Sequence, residues 1–202
     1  MNWMKKVAVA LVCLLPLGLQ AAKIDTLQVK SPSMNKSIEV VVVSPDVAAT
    51  KACPVIYLLH GYGGNACTWV GIKPDLPKIA DEKGIFFVCP DGKNTWYWDS
   101  PLNADVRYET FISNELVKYV DSHYKTVADR KGRAITGLSM GGHGAMWNGL
   151  RHSDVFSAAG STSGGVDIRP FPKNWEMSVQ IGEKAKYPEN WEKYTVINLV
   201  PT

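Results

Sequence analysis

Short apolar runs, each closed by glycine, proline or a cluster of polar residues, set the rhythm of this chain. Residues 37–43, 54–59, 85–89, 134–138 and 155–159 read as strands, and the last four are too continuously apolar to leave one face in water. Between them the period changes. Tyr108, Phe111, Ile112, Leu116, Tyr119 and Val120 fall on one stripe of a helix, and a second helical pattern runs from Met140 to about Arg151. Strands alternating with helices predict a doubly wound, mostly parallel α/β sheet. After Gly164 the pattern dissolves into Arg169-Pro170-Phe171-Pro172, Trp175, Pro188 and Trp191, an irregular excursion over the sheet edge or the rim of a site.

The first residues follow a different logic. Lys5 and Lys6 precede an apolar run over residues 7–19, and Ala21-Ala22 follow, which is the layout of a secretory signal peptide. That run, broken by Pro16 and Gly18, is too short to span a bilayer. The expected organisation is a leader over 1–22 and one domain over 23–202, placing the protein outside the cytoplasm, secreted or periplasmic. Charge changes little: 22 basic against 19 acidic residues, with two of the lysines in the leader, imply no polyanion. No basic stripe supports nucleic-acid binding, and no membrane association is expected once the leader is gone. Cys53, Cys67 and Cys89 are expected as free thiols, and their spacing fits no zinc site.

The candidate chemistry sits where an apolar run meets a helix. Gly137-Leu138-Ser139-Met140-Gly141 is a Gly-x-Ser-x-Gly sequence between the 134–138 strand and the 140–151 helix, the setting of a nucleophile elbow. Side chains at the two glycines would collide with the neighbouring strand and helix. In an open α/β sheet, ligands bind beyond the carboxyl ends of the strands. After strand 54–59 comes His60-Gly61-Tyr62-Gly63-Gly64, a loop of the type that supplies an oxyanion-hole amide, with Tyr62 N–H and Met140 N–H as the donors. His60 reads as a brace for this loop at the edge of the substrate rather than as a base. After strand 85–89 come Pro90-Asp91-Gly92 and Trp96-Tyr97-Trp98-Asp99-Ser100-Pro101. The three aromatics fit either a ring-stacking wall, with Trp96 and Trp98 against substrate, or plain loop packing. Asp91 and Asp99 read as turn formers.

Taken together, these segments resemble the esterase D or feruloyl-esterase branch of the α/β-hydrolases, a group that includes S-formylglutathione hydrolases and mycolyltransferases of antigen 85 type. Leu58-Leu59-His60-Gly61, Pro90-Asp91-Gly92, the stretch from Ala134 to Ala145 and Ser161-Thr162-Ser163-Gly164-Gly165 carry the resemblance. Trp96 to Pro101 and Gly165 to Pro170 are similar to exported bacterial members that cleave acetyl or feruloyl esters on plant polysaccharides. The resemblance implies an α/β-hydrolase fold, Ser139 as nucleophile, and a small-molecule or polysaccharide ester as substrate, with no cofactor and no metal.

One part of the pattern breaks. In this fold the partners follow the serine as an acid and then a histidine, yet residues 140–151 hold no Asp or Glu, and only His143 and His152 follow Ser139. His143 reads as structural. His152 stands about 20 Å away along a helix that rises 1.5 Å per residue. The expectation is therefore a C-terminally truncated esterase, lacking the last strands and impaired because triad acid and base are missing. Two other classes stay open: a catalytically dead carbohydrate-binding protein with Trp96, Tyr97 and Trp98 as platform, and a thioesterase or acyltransferase of the same superfamily.

Overall fold

A computed structural model describes residues 22–200, so the leader read over 1–22, with Cys13, lies outside the described residues except for Ala22. Among them the sheet has six strands: β1 (Lys23–Ser31), β2 (Lys36–Ser44), β3 (Val55–Leu59), β4 (Phe86–Pro90), β5 (Arg133–Gly137) and β6 (Ala158–Ala159). Their order is β1-β2-β4-β3-β5-β6. From β4 through β3 and β5 to β6 the pairings are parallel, whereas β1 with β2 and β2 with β4 are antiparallel. The expected parallel-dominant α/β sheet is the observed one.

Alternation along β2 explains how a run of four valines is used. Val40 and Val42 enter the larger core with Val55, Tyr57, Phe86, Val88 and Ile135, while Val41 and Val43 join Leu58, Phe87 and Cys89 on the other face. Both faces are thus covered, which is why alternation never shows in the sequence. Over the smaller core lie α1 (Thr68–Ile72) and α2 (Leu76–Lys83), the latter burying Leu76 and Ala80. The larger core takes the helical run α3 (Tyr108–Thr110), a π-type stretch Phe111–Leu116, and α4 (Val117–His123), together with α5 (Met140–Arg151). Two short helices, α6 (Met177–Ile181) and α7 (Pro188–Lys193), punctuate the segment after Gly164.

Three elements differ from the sequence reading, each for a visible reason. Strand β1 was not legible because its inward positions 25, 27, 29 and 31 carry Asp, Leu, Val and Ser, diluting the alternation of an edge strand. The last strand is only Ala158–Ala159, since Val155 and Phe156 fold back in hydrogen bonds to the His152 carbonyl (2.9 and 3.0 Å). Phe156 then packs edge-on against Tyr57 at 5.7 Å. Finally, the 108–123 helix keeps its apolar stripe but widens into π geometry at Phe111. Cys53, Cys67 and Cys89 are free thiols among the described residues; burial pushes the Cys53 and Cys89 thiols up, while Cys67 is exposed.

Candidate active site

Ser139 stands between β5 and α5 with φ 52° and ψ −118°, a strained conformation for a residue with a Cβ. Its surroundings hold it there. Ser139 N–H donates to the Thr162 carbonyl at 2.8 Å, and its own carbonyl accepts from His143 N–H at 3.0 Å. The flanking glycines are required by close approach. A Cβ on Gly137 would sit 2.4 Å from the Gly141 backbone, and one on Gly141 would sit 2.2 Å from the Leu59 carbonyl oxygen. The serine itself is exposed.

The loop after β3 lies alongside it: a Cβ on Gly61 would be 3.5 Å from the Ser139 Cβ. Neither Tyr62 N–H nor Met140 N–H donates to another group among the described residues. Two main-chain donors without partners among the described residues therefore lie beside the exposed Ser139.

Of the three side chains expected against substrate, only Trp96 lines the cavity in front of Ser139. His60 is buried beneath the loop, where its Nε2 accepts Gly92 N–H at 2.8 Å and its Nδ1 meets the Gly61 carbonyl at 2.7 Å. With both nitrogens taken by backbone, it braces two site loops and has nothing left for a ligand. Trp98 is fully buried and donates Nε1–H to His143 Nε2 at 3.0 Å. His143 in turn holds the Gly165 carbonyl through Nδ1 at 2.7 Å. Burial pulls the His143 pKa down to about 4, against the opposing Gly165 bond, so the ring is a neutral strut. Nor do Trp96, Tyr97 and Trp98 make an open platform. They are at most 4% exposed, Trp96 stacks on Trp98 at 5.5 Å, and the Tyr97 ring fills the space that a Cβ would need on Gly92 or Gly144. Asp91 does form a turn, accepting Lys93 N–H at 2.9 Å; Asp99 does not, since it bridges Arg107 and its carboxylate accepts Thr110 N–H (3.0 Å) and Oγ1–H (2.6 Å) eleven residues on, at the start of the 108–123 helical run.

The cavity has a volume of about 210 Å³, and besides Ser139 and Trp96 it is lined by Tyr62, Ile168, Phe171, Trp175 and Met177. Four of these come from the segment after Gly164. Sequence reasoning placed that segment near a rim from its composition, but it has no periodicity from which to tell which side chains face inward. A larger open groove of about 700 Å³ beside Lys173 and Lys184 does not include Ser139.

None of the four imidazoles is hydrogen-bonded to Ser139. His123 holds the Tyr119 carbonyl at 2.8 Å on the surface, and His152 Nε2 meets Glu109 Oε1 at 2.9 Å at the far end of α5. The serine is presented without a base among the described residues.

Known proteins resemble this chain in sequence and in fold. The family model described as Esterase matches residues 31–200. An esterase of Mycobacterium tuberculosis is 28% identical over 149 residues, 70% of this chain and 32% of its own length. An acetyl esterase of Caldicellulosiruptor saccharolyticus is 32% identical over 102 residues, 50% of this chain and 37% of its own. The chain thus spans about a third to a half of the length of the curated relatives it matches. Among solved structures, a ferulic acid esterase aligns with TM-score 0.67 and 30% identity, covering 87% of this chain and 71% of its own. An S-formylglutathione hydrolase from Agrobacterium tumefaciens shares the fold with TM-score 0.75 and 22% identity, covering 89% and 70% of the two chains.

Proposed function

The chain belongs to the Esterase family, and from that premise we propose that it is a serine carboxylic-ester hydrolase with Ser139 as nucleophile. The observation that carries the reading is the exposed Ser139 hydroxyl at φ 52°, flanked by the unpartnered Tyr62 and Met140 amides and opening into an aromatic cavity. Ser139 Oγ would attack the ester carbonyl, and the negative oxygen that develops would meet the two N–H groups, each worth about 3–4 kcal/mol where such donors have been removed. Collapse breaks the ester C–O bond and releases the alcohol; water then cleaves the acyl-serine.

The proton on Ser139 is the weak point of this cycle. With no imidazole in reach, it passes to solvent, and rate comes from positioning and the oxyanion donors alone, about 10³–10⁴ over water. We therefore read the chain as impaired relative to a complete triad.

The lining favours an aromatic acyl group: Trp96, Phe171 and Trp175 offer ring faces to a feruloyl ester, while an acetyl group would leave much of the cavity unfilled. A plant-polysaccharide ester, met outside the cytoplasm by an exported protein, fits both the lining and the leader-like N-terminus.

The decisive comparison is hydrolysis of p-nitrophenyl acetate and methyl ferulate by the protein and by Ser139→Ala. The expected outcome is a serine-dependent rate, higher on methyl ferulate relative to its background, that increases when free imidazole is added. Equal rates for protein and variant would overturn the hydrolase reading; indifference to imidazole would overturn the missing-base reading. Faster turnover of S-formylglutathione would move the assignment to thioesterase chemistry.

A further inference from the structure

Three loops of the site meet at Trp175 and Glu176. Both residues adopt left-handed backbone conformations (φ 50° and 53°), as do Trp96 and Tyr97 (φ 59° each) on the facing loop. Residues with a Cβ hold such angles only when neighbours fix them. Here the Trp175 carbonyl accepts the Trp96 indole N–H at 3.0 Å, and the Glu176 carboxylate accepts Asn94 Nδ2–H at 3.2 Å. Asn94 passes the connection on: its Oδ1 accepts Gly63 N–H at 2.9 Å.

That connection matters because the turn it reaches is otherwise loosely held. Gly63 has φ 75°, and nothing lies within 4 Å of where its Cβ would be. The turn is closed by Gly64 N–H to the Gly61 carbonyl at 3.0 Å, and His60 braces it from below. The Tyr62 N–H shares a peptide plane with the Gly61 carbonyl, which His60 and Gly64 N–H hold from below; the following Tyr62–Gly63 peptide, on the outer side of the turn, is tied down through Asn94 and Glu176.

We propose that Glu176 is a positioning residue: by holding Asn94, it steadies the turn carrying Tyr62 so that the Tyr62 amide points at the carbonyl attacked by Ser139. The proposal rests on the ester-hydrolase reading for what the amide does, but not for the existence of the clamp. The segment after Gly164 thereby acts on catalysis without touching the reacting atoms.

Amide exchange followed by NMR tests the clamp, and kinetics test its role. In Glu176→Ala and in Asn94→Ala, exchange at Gly63 N–H accelerates at least about threefold while Ser139 N–H, bonded to Thr162, stays protected. Glu176→Gln keeps an acceptor oxygen and restores Gly63 protection. The double variant Glu176→Ala/Asn94→Ala is no worse than either single, because both interrupt one chain of bonds. In serine-dependent hydrolysis, Glu176→Ala lowers kcat by about three- to tenfold with KM little changed, and Glu176→Gln recovers it. Unchanged Gly63 exchange in Glu176→Ala would overturn the proposal. So would a faster exchange with unaltered kcat, or failure of Glu176→Gln to rescue. If exchange responds as expected while neither the protein nor any variant shows serine-dependent hydrolysis, the clamp stands and the ester-hydrolase reading falls.

Discussion

A side chain at position 141 has nowhere to go, since the Leu59 carbonyl would lie 2.2 Å from its Cβ and the His60 carbonyl 2.6 Å. Backbone cannot yield as a flexible side chain does, so Gly141→Ala is expected to lose about 3 kcal/mol or to fail to fold, checked by urea denaturation. His143 gives the residue scale its pH dependence. The unfolded chain binds a proton on this imidazole near pH 6.5, whereas burial delays protonation in the folded protein to about pH 4. Between those values the unfolded state holds more protons, so stability is full above pH 6.5 and declines as pH falls toward 4, by about 3 kcal/mol. Gln can accept from Trp98 and donate to the Gly165 carbonyl as His143 does. His143→Gln is therefore expected to flatten the dependence of the urea midpoint on pH between 6.5 and 4. An unchanged slope would assign that loss to other groups.

At the scale of elements, the 108–123 helical run and α5 are joined through one buried carboxylate. Glu109 accepts Trp147 Nε1–H at 2.8 Å, Arg151 Nε–H at 2.8 Å and His152 Nε2–H at 2.9 Å. Burial works to raise its pKa, but bonds from His152, Arg151 and Trp147 outweigh that and hold it below the usual carboxylate range. Truncation strands a buried indole N–H, the Arg151 guanidinium and the His152 imidazole, so Glu109→Ala should cost about 2 kcal/mol, discounted because Arg151 is partly exposed. Thermal or urea unfolding would show it, and a change under 0.5 kcal/mol would mean that the stripe alone holds the pair. The same Trp147 ring stacks on Tyr194 at 5.2 Å and 13°, which returns the irregular tail to the core. The apolar stripe of 108–123 was legible because its periodicity is local. The Glu109 junction was not, because its partners lie about forty residues away in sequence.

For the whole molecule the exposed feature is the end of the sheet. Strand β6 pairs with β5 alone among the described residues, and Ala158 and Ala159 are both exposed. An uncharged edge with free main-chain groups invites pairing with another chain. The Cβ of Ala159 lies towards Gly149 on α5, so Ala158 occupies the opposite face and is the place for a charge. Ala158→Lys is expected to reduce self-association at high concentration, read by sedimentation velocity, with the melting temperature unchanged. Equal association would show that this edge is already protected.

Local sequence alone determined the alternation of strands and helices, the elbow at Ser139, and the absence of an acid after it in helix 140–151, because each depends on neighbours within about a dozen residues. That His152 cannot serve Ser139 was legible too, since a 1.5 Å rise per residue puts it about 20 Å away along the helix. Tertiary structure decided which aromatics meet a ligand. Trp96 and Trp98 are two residues apart, yet one lines the cavity and the other is a buried donor to His143. Phe171 and Trp175 reach the site only because the aperiodic segment after Gly164 folds over it. Such placements depend on contacts between residues far apart in the chain, and no period or spacing encodes them.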